Sequence, residues 1–249
     1  MKLELRKFYT GKSFESPKIS YDKSSKKRPA WIYVKNLPES ALFISTRVDG
    51  KIEHYKAYLS PEIPLYLPIT YTSNEMRKFY DKFSEIYDKE IGLKNKLAVK
   101  FLFNKINIPK NSSLFDIGAG TGLSAEPLVE KGYTNITLLD YSKKMLEIAR
   151  KKKLLKSMKF IQKDFSKFES NQKYDVLFSI FSFAYSSYFT EKQMPQLWKK
   201  AASLLKQSGY IMLLGHDYIP PSELFKRIKS GKFEIIPGLK VNWYIGTKR

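Results

Sequence analysis

The stretch LFDIGAGTG, residues 114–122, decides the predicted fold. It consists of a short apolar run with Asp116 near its end, followed by a glycine-rich turn. The glycines occupy alternate positions: Gly118, Gly120 and Gly122. Glycine adopts positive φ at little cost and lets a ligand approach the backbone closely. A helix that begins near Leu123 presents backbone N–H groups without intrahelical partners. We therefore predict a strand, a ligand-binding turn and a helix in succession.

The spacing of these glycines argues against a nicotinamide dinucleotide site. The dinucleotide fingerprint G-x-G-x-x-G places its third glycine where this chain has Leu123. The present pattern is G-x-G-x-G, with Asp116 two residues before the first glycine. We therefore expect a cofactor other than NAD at this turn.

The sequence around the turn alternates strand-like runs with helical stretches. The predicted strands are residues 113–117, 135–139, 159–162, 175–180 and 210–214. Gly132 and Gly209 are expected to end the helices that precede two of these strands. Such alternation predicts a parallel sheet with helices on both faces. The tail differs, because the runs 233–236 and 241–246 flank Pro237-Gly238 and predict an antiparallel hairpin.

The first third of the chain has a different pattern. Residues 1–30 are polar and lysine-rich and predict a loosely ordered lead-in, and residues 31–34 predict a strand. Asp49-Gly50 lies between two β-rich runs, which is a strong hairpin signal. After residue 73 the apolar spacing predicts two helices, the first carrying Met76 to Tyr87 and the second Leu97 to Ile106. We expect a small β-rich N-terminal module over residues 1–72 and a larger domain over 73–249.

Composition narrows the classes of protein. The 249-residue chain has no cysteine and two histidines, which argues against disulfides, thiolate or histidine-rich metal sites and cysteine nucleophiles. Its net charge of +21 makes it a basic protein and leaves RNA binding open. The excess is lysine spread over the whole length, which is also typical of a solvated surface. No apolar run is long enough for a membrane span or a secretory signal, so we expect a cytoplasmic protein without a membrane span.

The glycine turn and the segments after it resemble a known family. Residues 114–122 resemble the first signature of the class I S-adenosylmethionine (SAM) dependent methyltransferases. Later segments are similar to that family's following segments, in the same order: residues 138–150, 162–165, 175–179 and 197–214. Gln207-Ser208-Gly209 replaces the usual Pro-Gly-Gly turn. The resemblance covers about residues 75–249.

The resemblance implies a fold, a cofactor and a set of binding residues. The fold is a doubly wound α/β sheet of seven mostly parallel strands with a C-terminal antiparallel hairpin. The cofactor is SAM, with Asp140 accepting hydrogen bonds from the ribose hydroxyls, Asp164 binding the adenine amino group and Phe165 packing on the adenine ring. The implied cofactor-binding residues are Asp116, Gly118, Ala119, Gly120, Gly122, Asp140, Tyr141, Met145, Asp164, Phe165, Ser179 and Tyr87.

The same resemblance places the acceptor beside the fourth and fifth strands. His216 and Asp217 follow the fifth strand and are candidate general bases. The fourth strand ends among aromatic residues: Phe178, Phe181, Phe183, Tyr185, Tyr188 and Phe189. This density favours a small apolar or aromatic acceptor methylated on oxygen or nitrogen. The Asn-Pro-Pro-Tyr-type signature is absent at residues 179–182, which argues against methylation of adenine or glutamine amino groups.

Two alternatives stay open at the level of sequence. The first is an RNA- or protein-directed methyltransferase that uses the basic N-terminal module. The second is a SAM-binding protein without catalysis, because the sequence contains no unambiguous base. The oligomeric state is likewise open.

Overall fold

The computed structural model describes residues 3–6, 18–21, 32–35, 43–48, 51–57, 65–68, 73–184, 189, 191–236 and 239–249. The chain divides into two compact units, Met1–Phe79 and Tyr80–Arg249. The predicted boundary between residues 72 and 73 stays a prediction. No helix within these described ranges is both long enough and apolar enough to cross a membrane.

The first unit contains a six-stranded antiparallel sheet in the order β1-β4-β5-β6-β3-β2. Its strands are β1 (Leu3–Arg6), β2 (Lys18–Tyr21), β3 (Ile32–Lys35), β4 (Phe43–Val48), β5 (Lys51–Ala57) and β6 (Leu65–Pro68). The predicted hairpin is confirmed, since Val48 pairs with Lys51 and Ile44 with Tyr55.

The prediction of a loosely ordered lead-in over residues 1–30 is wrong in part. Strands β1 and β2 lie within it and pair with β4 and β3. These short strands have alternating apolar residues, and the sheet ladder satisfies their backbone groups. The lysine cluster at residues 23–28 lies outside the described part of the chain.

The second unit is built on a seven-stranded sheet, which confirms the predicted fold class. Its strands are β7 (Leu114–Ile117), β8 (Ile136–Asp140), β9 (Lys159–Gln162), β10 (Tyr174–Ile180), β11 (Leu205–Leu214), β12 (Phe225–Ile236) and β13 (Leu239–Lys248). The spatial order is β12-β13-β11-β10-β7-β8-β9. Strands β7 to β11 are parallel, and β13 is antiparallel to both β11 and β12.

The strand order creates a crevice at one edge of the sheet. The chain runs from β7 outward to β8 and β9, and then returns to place β10 on the other side of β7. Ligands of open α/β sheets bind at such a switch point, beyond the carboxyl ends of the strands. The turns after β7 and β10, residues 118–122 and 181–184, therefore flank the expected binding crevice.

The helix before β7 differs from its prediction. A single helix, α1 (Ser73–Phe103), replaces the two that the sequence predicted. No proline interrupts it, and buried positions continue through its second half at Ile91, Ala98 and Leu102. The low helix propensity of Gly92 alone does not end a helix that has buried residues on both sides of this glycine.

The other helices are shorter. They are α2 (Glu126–Glu130), α3 (Lys143–Lys151) and α4 (Met194–Leu204). The prediction that a helix begins near Leu123 is wrong by three residues, because α2 begins at Glu126 with Pro127 in its first turn. Hydrogen-bonded turns occupy the gap, as in the bond from Ala125 N to Gly122 O.

An irregular stretch near the start of β11 corrects the expected role of Gly209. Ser208, not Gly209, has a positive φ, at 60°. A Cβ on Gly209 would lie 3.0 Å from the carbonyl oxygen of Lys206, so this glycine is required for space rather than for its φ. Gly132, by contrast, has a φ of 91° and ends its helix as predicted.

Two glycines with positive φ, Gly215 and Gly132, give a matched test of how closely Phe181 packs against Gly215. Gly215 has a φ of 73°, and a Cβ there would lie 2.1 Å from the Phe181 ring, whereas a Cβ on Gly132 would meet nothing within 4 Å. We expect Gly132→Ala to lower the free energy of unfolding by about 1–2 kcal/mol, the conformational cost alone. Gly215→Ala adds overpacking and should cost about 3 kcal/mol or more. Urea unfolding of both variants measures the difference, and equal costs would contradict the packing at Gly215.

Candidate functional site

The glycine turn is bonded directly to the carboxylate at the end of the neighbouring strand. Asp140 Oδ2 accepts a hydrogen bond from Gly120 N at 2.8 Å, and Asp140 Oδ1 accepts one from Ser142 N at 2.8 Å. The backbone N–H groups of Gly118 and Ala119 both donate to the carbonyl oxygen of Leu139 at 2.9 Å. Two predicted site segments that lie 20 residues apart in sequence therefore form one unit.

The three glycines of the turn are required for different reasons. All have positive φ, 77° at Gly118, 56° at Gly120 and 79° at Gly122. A Cβ on Gly118 would lie 1.8 Å from Ser182 Oγ, and one on Gly122 would lie 2.3 Å from a methyl of Leu155. At Gly120 the nearest atom, in the Tyr87 ring, is 3.8 Å away. Gly118 and Gly122 thus need both space and conformation, and Gly120 needs conformation alone.

Asp116 lies beneath the turn as a buried carboxyl group. It is 1% exposed, and Ser124 Oγ donates to its Oδ2. Burial raises the pKa of Asp116 to about 7, and the nearby charge of Asp140 also raises it. Burial likewise raises the pKa of Asp140 to about 6, against the opposing effect of its backbone N–H donors. The site can therefore hold a proton near neutral pH.

Asp164 and Phe165 follow strand β9, the next strand after Asp140's. Asp164 Oδ1 accepts hydrogen bonds from Ser166 N at 2.8 Å and Ser166 Oγ at 2.7 Å. The carbonyl oxygen of Asp140 accepts from Lys163 N at 3.0 Å, which holds the two strand ends together. Phe165 is 4% exposed and packs edge-on against Phe183 in the core. The predicted contact of Phe165 with a ligand ring stays a prediction.

Three other predicted residues have clear local roles. Met145 is buried in the first turn of α3, where its N–H donates to the capping Ser142 Oγ at 3.1 Å. Tyr141 is partly buried and meets Tyr80 edge-on, with ring centroids 6.3 Å apart. Ser179 Oγ donates to the carbonyl oxygen of Ile117 at 2.9 Å and accepts from Phe183 N at 2.8 Å. The hydroxyl of Ser179 therefore joins the ends of β7 and β10.

The turn after β10 contains backbone strain that the sequence did not predict. Phe181 and Ala184 have positive φ, 55° and 62°, although neither is glycine. Ser182, between them, is the residue that packs over Gly118. The carbonyl oxygen of Ala184 accepts from Asp217 N at 2.9 Å and Tyr218 N at 3.1 Å. Such strain concentrates at functional sites. Here the strained turn contacts both the glycine turn and the loop after β11.

The loop after β11 carries the two predicted bases. His216 is 7% exposed, and its Nδ1 lies 3.2 Å from the carbonyl oxygen of Tyr218. Burial lowers the pKa of His216, so the ring is neutral at physiological pH. Its ring meets Tyr244 of β13 edge-on at 6.4 Å. Asp217 is exposed, and its catalytic role stays a prediction.

The structure corrects the interpretation of the aromatic residues near β10. Phe178, Phe181 and Phe183 are buried, with at most 7% exposed. Phe178 packs on Phe103, and Phe183 packs on Trp198 at 4.8 Å. These side chains form core, with Phe178 packed against α1 and Phe183 packed against α4. Tyr185 and Tyr188 lie outside the described residues, and Phe189 is partly buried.

Helix α1 brings further side chains to the glycine turn. The Tyr87 ring lies beside Gly120, and its hydroxyl accepts from Asn95 Nδ2 at 3.3 Å. Two acids that sequence reasoning missed, Asp81 and Asp88, bond to Ser142 and Thr121. They directly follow Tyr80 and Tyr87, so the aromatic repeat on this helix was the signal that could have found them.

Comparison with known proteins gives an independent assignment. A family model described as a methyltransferase domain matches residues 114–209. The ubiquinone biosynthesis O-methyltransferase of Vibrio cholerae serotype O1 is 34% identical over 92 residues, a match that covers 33% of this chain and 37% of the relative. The match thus spans well under half the length of that curated relative.

Solved structures share the fold of the second unit. The magnesium protoporphyrin IX methyltransferase from Synechocystis PCC 6803 with bound SAM has a TM-score of 0.53 and 18% identity, covering 71% of this chain and 96% of that one. DhpI in complex with S-adenosylhomocysteine (SAH) has a TM-score of 0.53 and 15% identity, covering 69% and 94%. The matched segment is therefore similar to a methyltransferase domain, and the second unit has the fold of these SAM- and SAH-bound methyltransferases, as the sequence predicted.

Proposed function

We propose that this chain binds SAM and transfers its methyl group to an oxygen or nitrogen nucleophile of a small, apolar or aromatic organic acceptor. The enzyme class and the cofactor are those of the domain family. The observation that carries the proposal is the 2.8 Å bond from Gly120 N to Asp140. It holds a glycine cradle and a ribose-binding carboxylate side by side at the switch point of the sheet.

The residues present fit an adenosyl group. An ionised carboxylate has about four acceptor positions, and Asp140 receives backbone donors from Gly120, Ser142 and Tyr141, which leaves capacity for a ligand hydroxyl. At Gly120 the nearest atom to a Cβ would be 3.8 Å away, so a ligand can approach the backbone there. Asp164 directs Oδ1 at Ser166, which leaves Oδ2 as an acceptor for an amino group.

The roles proposed for the residues follow from these positions. Asp140 binds the ribose hydroxyls, Asp164 binds the adenine amino group, and the turn of Gly118 to Gly122 lies against the rest of the cofactor. Asp116, Ala119, Tyr141, Met145, Phe165, Ser179 and Tyr87 shape or support this cleft. When bound, SAM supplies an electrophilic methyl group on a sulfonium centre. The protein contributes alignment and exclusion of water.

His216 is the proposed general base. The contact of Nδ1 with the carbonyl oxygen of Tyr218 favours a proton on Nδ1, and the buried Nε2 is then the proposed basic nitrogen. The lowered pKa keeps the ring neutral and ready to accept a proton from an acceptor hydroxyl. Asp217, adjacent and exposed, is the second candidate.

The proposed acceptor is an organic hydroxyl or amine. The matched relative is named an O-methyltransferase of ubiquinone biosynthesis, which favours an organic hydroxyl. The buried aromatic side chains near β10 no longer add weight to an aromatic acceptor. The net charge of +21 favours the alternative of an RNA acceptor. Cytoplasmic location stays a prediction.

Calorimetry with SAM and SAH tests the cofactor site. We expect binding in the micromolar range, and Asp140→Ala should weaken it by about 1–3 kcal/mol because buried ribose hydroxyls lose their acceptor. Glu223→Ala, at an exposed acid after β11, is the control and should bind like wild type. Equal affinity of the Asp140→Ala and wild-type proteins would exclude the proposed site.

Methyl transfer tests the base and the acceptor together. With labelled SAM and a panel of phenols, catechols and amines, we expect at least one acceptor to be methylated. His216→Asn should lower kcat on that acceptor by about 100-fold or more, with SAM affinity unchanged. Binding of SAM without turnover on any panel member would favour the non-catalytic alternative. Salt-sensitive affinity for RNA would favour the RNA-directed one.

The buried carboxyls predict how stability depends on pH. Asp116 titrates at about 7 in the folded protein against 3.8 ordinarily, so between those values the folded state holds a proton that the unfolded chain has lost. Its contribution to stability is therefore complete below about pH 4 and is lost as the pH rises through 7. Asp116→Asn stays neutral and keeps the acceptor for Ser124. We expect its unfolding free energy, relative to wild type, to rise by on the order of 2 kcal/mol between pH 5 and 8.

Urea unfolding of ligand-free protein across this range measures the effect. Glu223→Gln, which removes an exposed acid, is the control and should follow the wild-type curve. Parallel curves for wild type and Asp116→Asn would show that Asp116 is ionised in the folded protein throughout.

A further inference from the structure

Residues of the glycine turn and of the strand end beside it are buried. Asp140 is 6% exposed, Ala119 is 6% exposed and Thr121 is fully buried. Part of this closure comes from α1, whose Tyr87 ring lies beside Gly120 and whose Tyr80 ring meets Tyr141. We use the term cover segment for residues 80–88 of α1. The cover segment therefore packs over part of the proposed cleft.

The first attachment of the cover segment is made by Asp81. Its Oδ1 accepts from Ser142 Oγ at 2.6 Å and from Lys144 N at 3.3 Å. Ser142 is itself the N-cap of α3, since its Oγ accepts from Met145 N, and its own N–H donates to Asp140. Asp81 is therefore one residue removed from the ribose-binding carboxylate.

The second attachment is made by Asp88. Its Oδ1 accepts from Thr121 Oγ1 in the glycine turn, and its Oδ2 lies 2.6 Å from Lys152 Nζ. The side chain of Lys152 is only 16% exposed and also lies 3.1 Å from Glu126 Oε1. Ion pairs in such a partly buried network are screened less by salt than exposed pairs are.

The two attachments contact different halves of the site. Asp81 and Asp88 are seven residues apart, which is about two helical turns. Asp81 reaches the segment after β8, and Asp88 reaches the turn after β7. These are the two segments that the Gly120–Asp140 bond joins. One helix therefore holds both halves of the cleft through carboxylates that have no place in the proposed contacts with the cofactor.

We infer that Asp81 and Asp88 are positioning residues that latch the cover segment over the cofactor cleft and so set the rate at which cofactor and product exchange. The inference rests on the proposed function, since it concerns access to that same site. Without either latch the cover segment opens more often, while the groups that touch the cofactor are unchanged. The dissociation rate of SAH then rises. The affinity of the open site for SAH changes less.

The test measures SAH dissociation by stopped flow, with a competing ligand to trap the free site. We expect Asp81→Ala and Asp88→Ala to release SAH about tenfold faster, the effect of one lost hydrogen bond to a charged group. Glu85→Ala is the matched control, an exposed acid between the two on the same helix, and should stay within about twofold of wild type. Asp81→Asn keeps an acceptor oxygen for Ser142 and Lys144 and should restore the wild-type rate.

Each outcome has a defined meaning. If the alanine variants melt at a lower temperature but release SAH at the wild-type rate, both residues are merely structural and the inference is overturned. If the alanine variants fail to fold, Thr121→Val decides, because it removes the hydroxyl that bonds to Asp88 and leaves the Asp88 carboxylate facing Lys152. Release from Thr121→Val at the wild-type rate would overturn the latch, and faster release would support it.

Failure of the proposed function is distinguishable from failure of the latch. A wild-type protein that does not bind SAH overturns the proposed function, and the role in exchange falls with it. Hydrogen exchange of the ligand-free proteins tests the latch separately. Faster exchange of residues 80–88 in Asp88→Ala than in Glu85→Ala supports the latch, and equal exchange overturns it.

Discussion

The hydrogen bond from the backbone of Gly120 to the carboxylate of Asp140 is the constraint on which the rest of the site depends. It ties the turn after the central strand β7 to the end of β8, and both groups are buried. Removing a partner from such a buried pair leaves an unsatisfied polar group, which costs more than the bond itself contributes. The capping of α3 by Ser142 and the positive φ of the glycines both keep Gly120 N beside the Asp140 carboxylate.

Two buried carboxyl groups lie close together at this point, and this has an electrostatic consequence. The charge of Asp140 raises the cost of ionising Asp116, the charge of Asp81 raises that of Asp140, and burial is the largest cause for both. A protein that only needed a stable turn would be better served by neutral residues there. The arrangement is understandable if a ligand with hydroxyl donors and a positive centre supplies the missing stabilisation. The ligand-free site is therefore less stable than its ligand would make it.

The sequence predicted the strands and the glycine turn because their signals are local. The strand segments, the turn and the position of Asp140 at a strand end follow from apolar runs, alternate glycines and an acid after an apolar run. The prediction of two helices before β7 was wrong, since a lone Gly92 did not break α1. Ser208 in place of Gly209, and the strain at Phe181 and Ala184, depend on packing that no local pattern reveals. Asp81 and Asp88 were missed because their partners lie 61 and 33 residues away in sequence.

The fit of Gly122 against Leu155 limits how this family of sequences can diverge. The place where a Cβ would stand at position 122 is already filled by a leucine methyl from the segment after α3. A larger residue at 122 is compatible with this fold only when position 155 has become smaller, so the two positions should change together among homologues. The glycine of the turn is thus set partly by a side chain remote from the cofactor, and its invariance would not by itself identify a ligand contact.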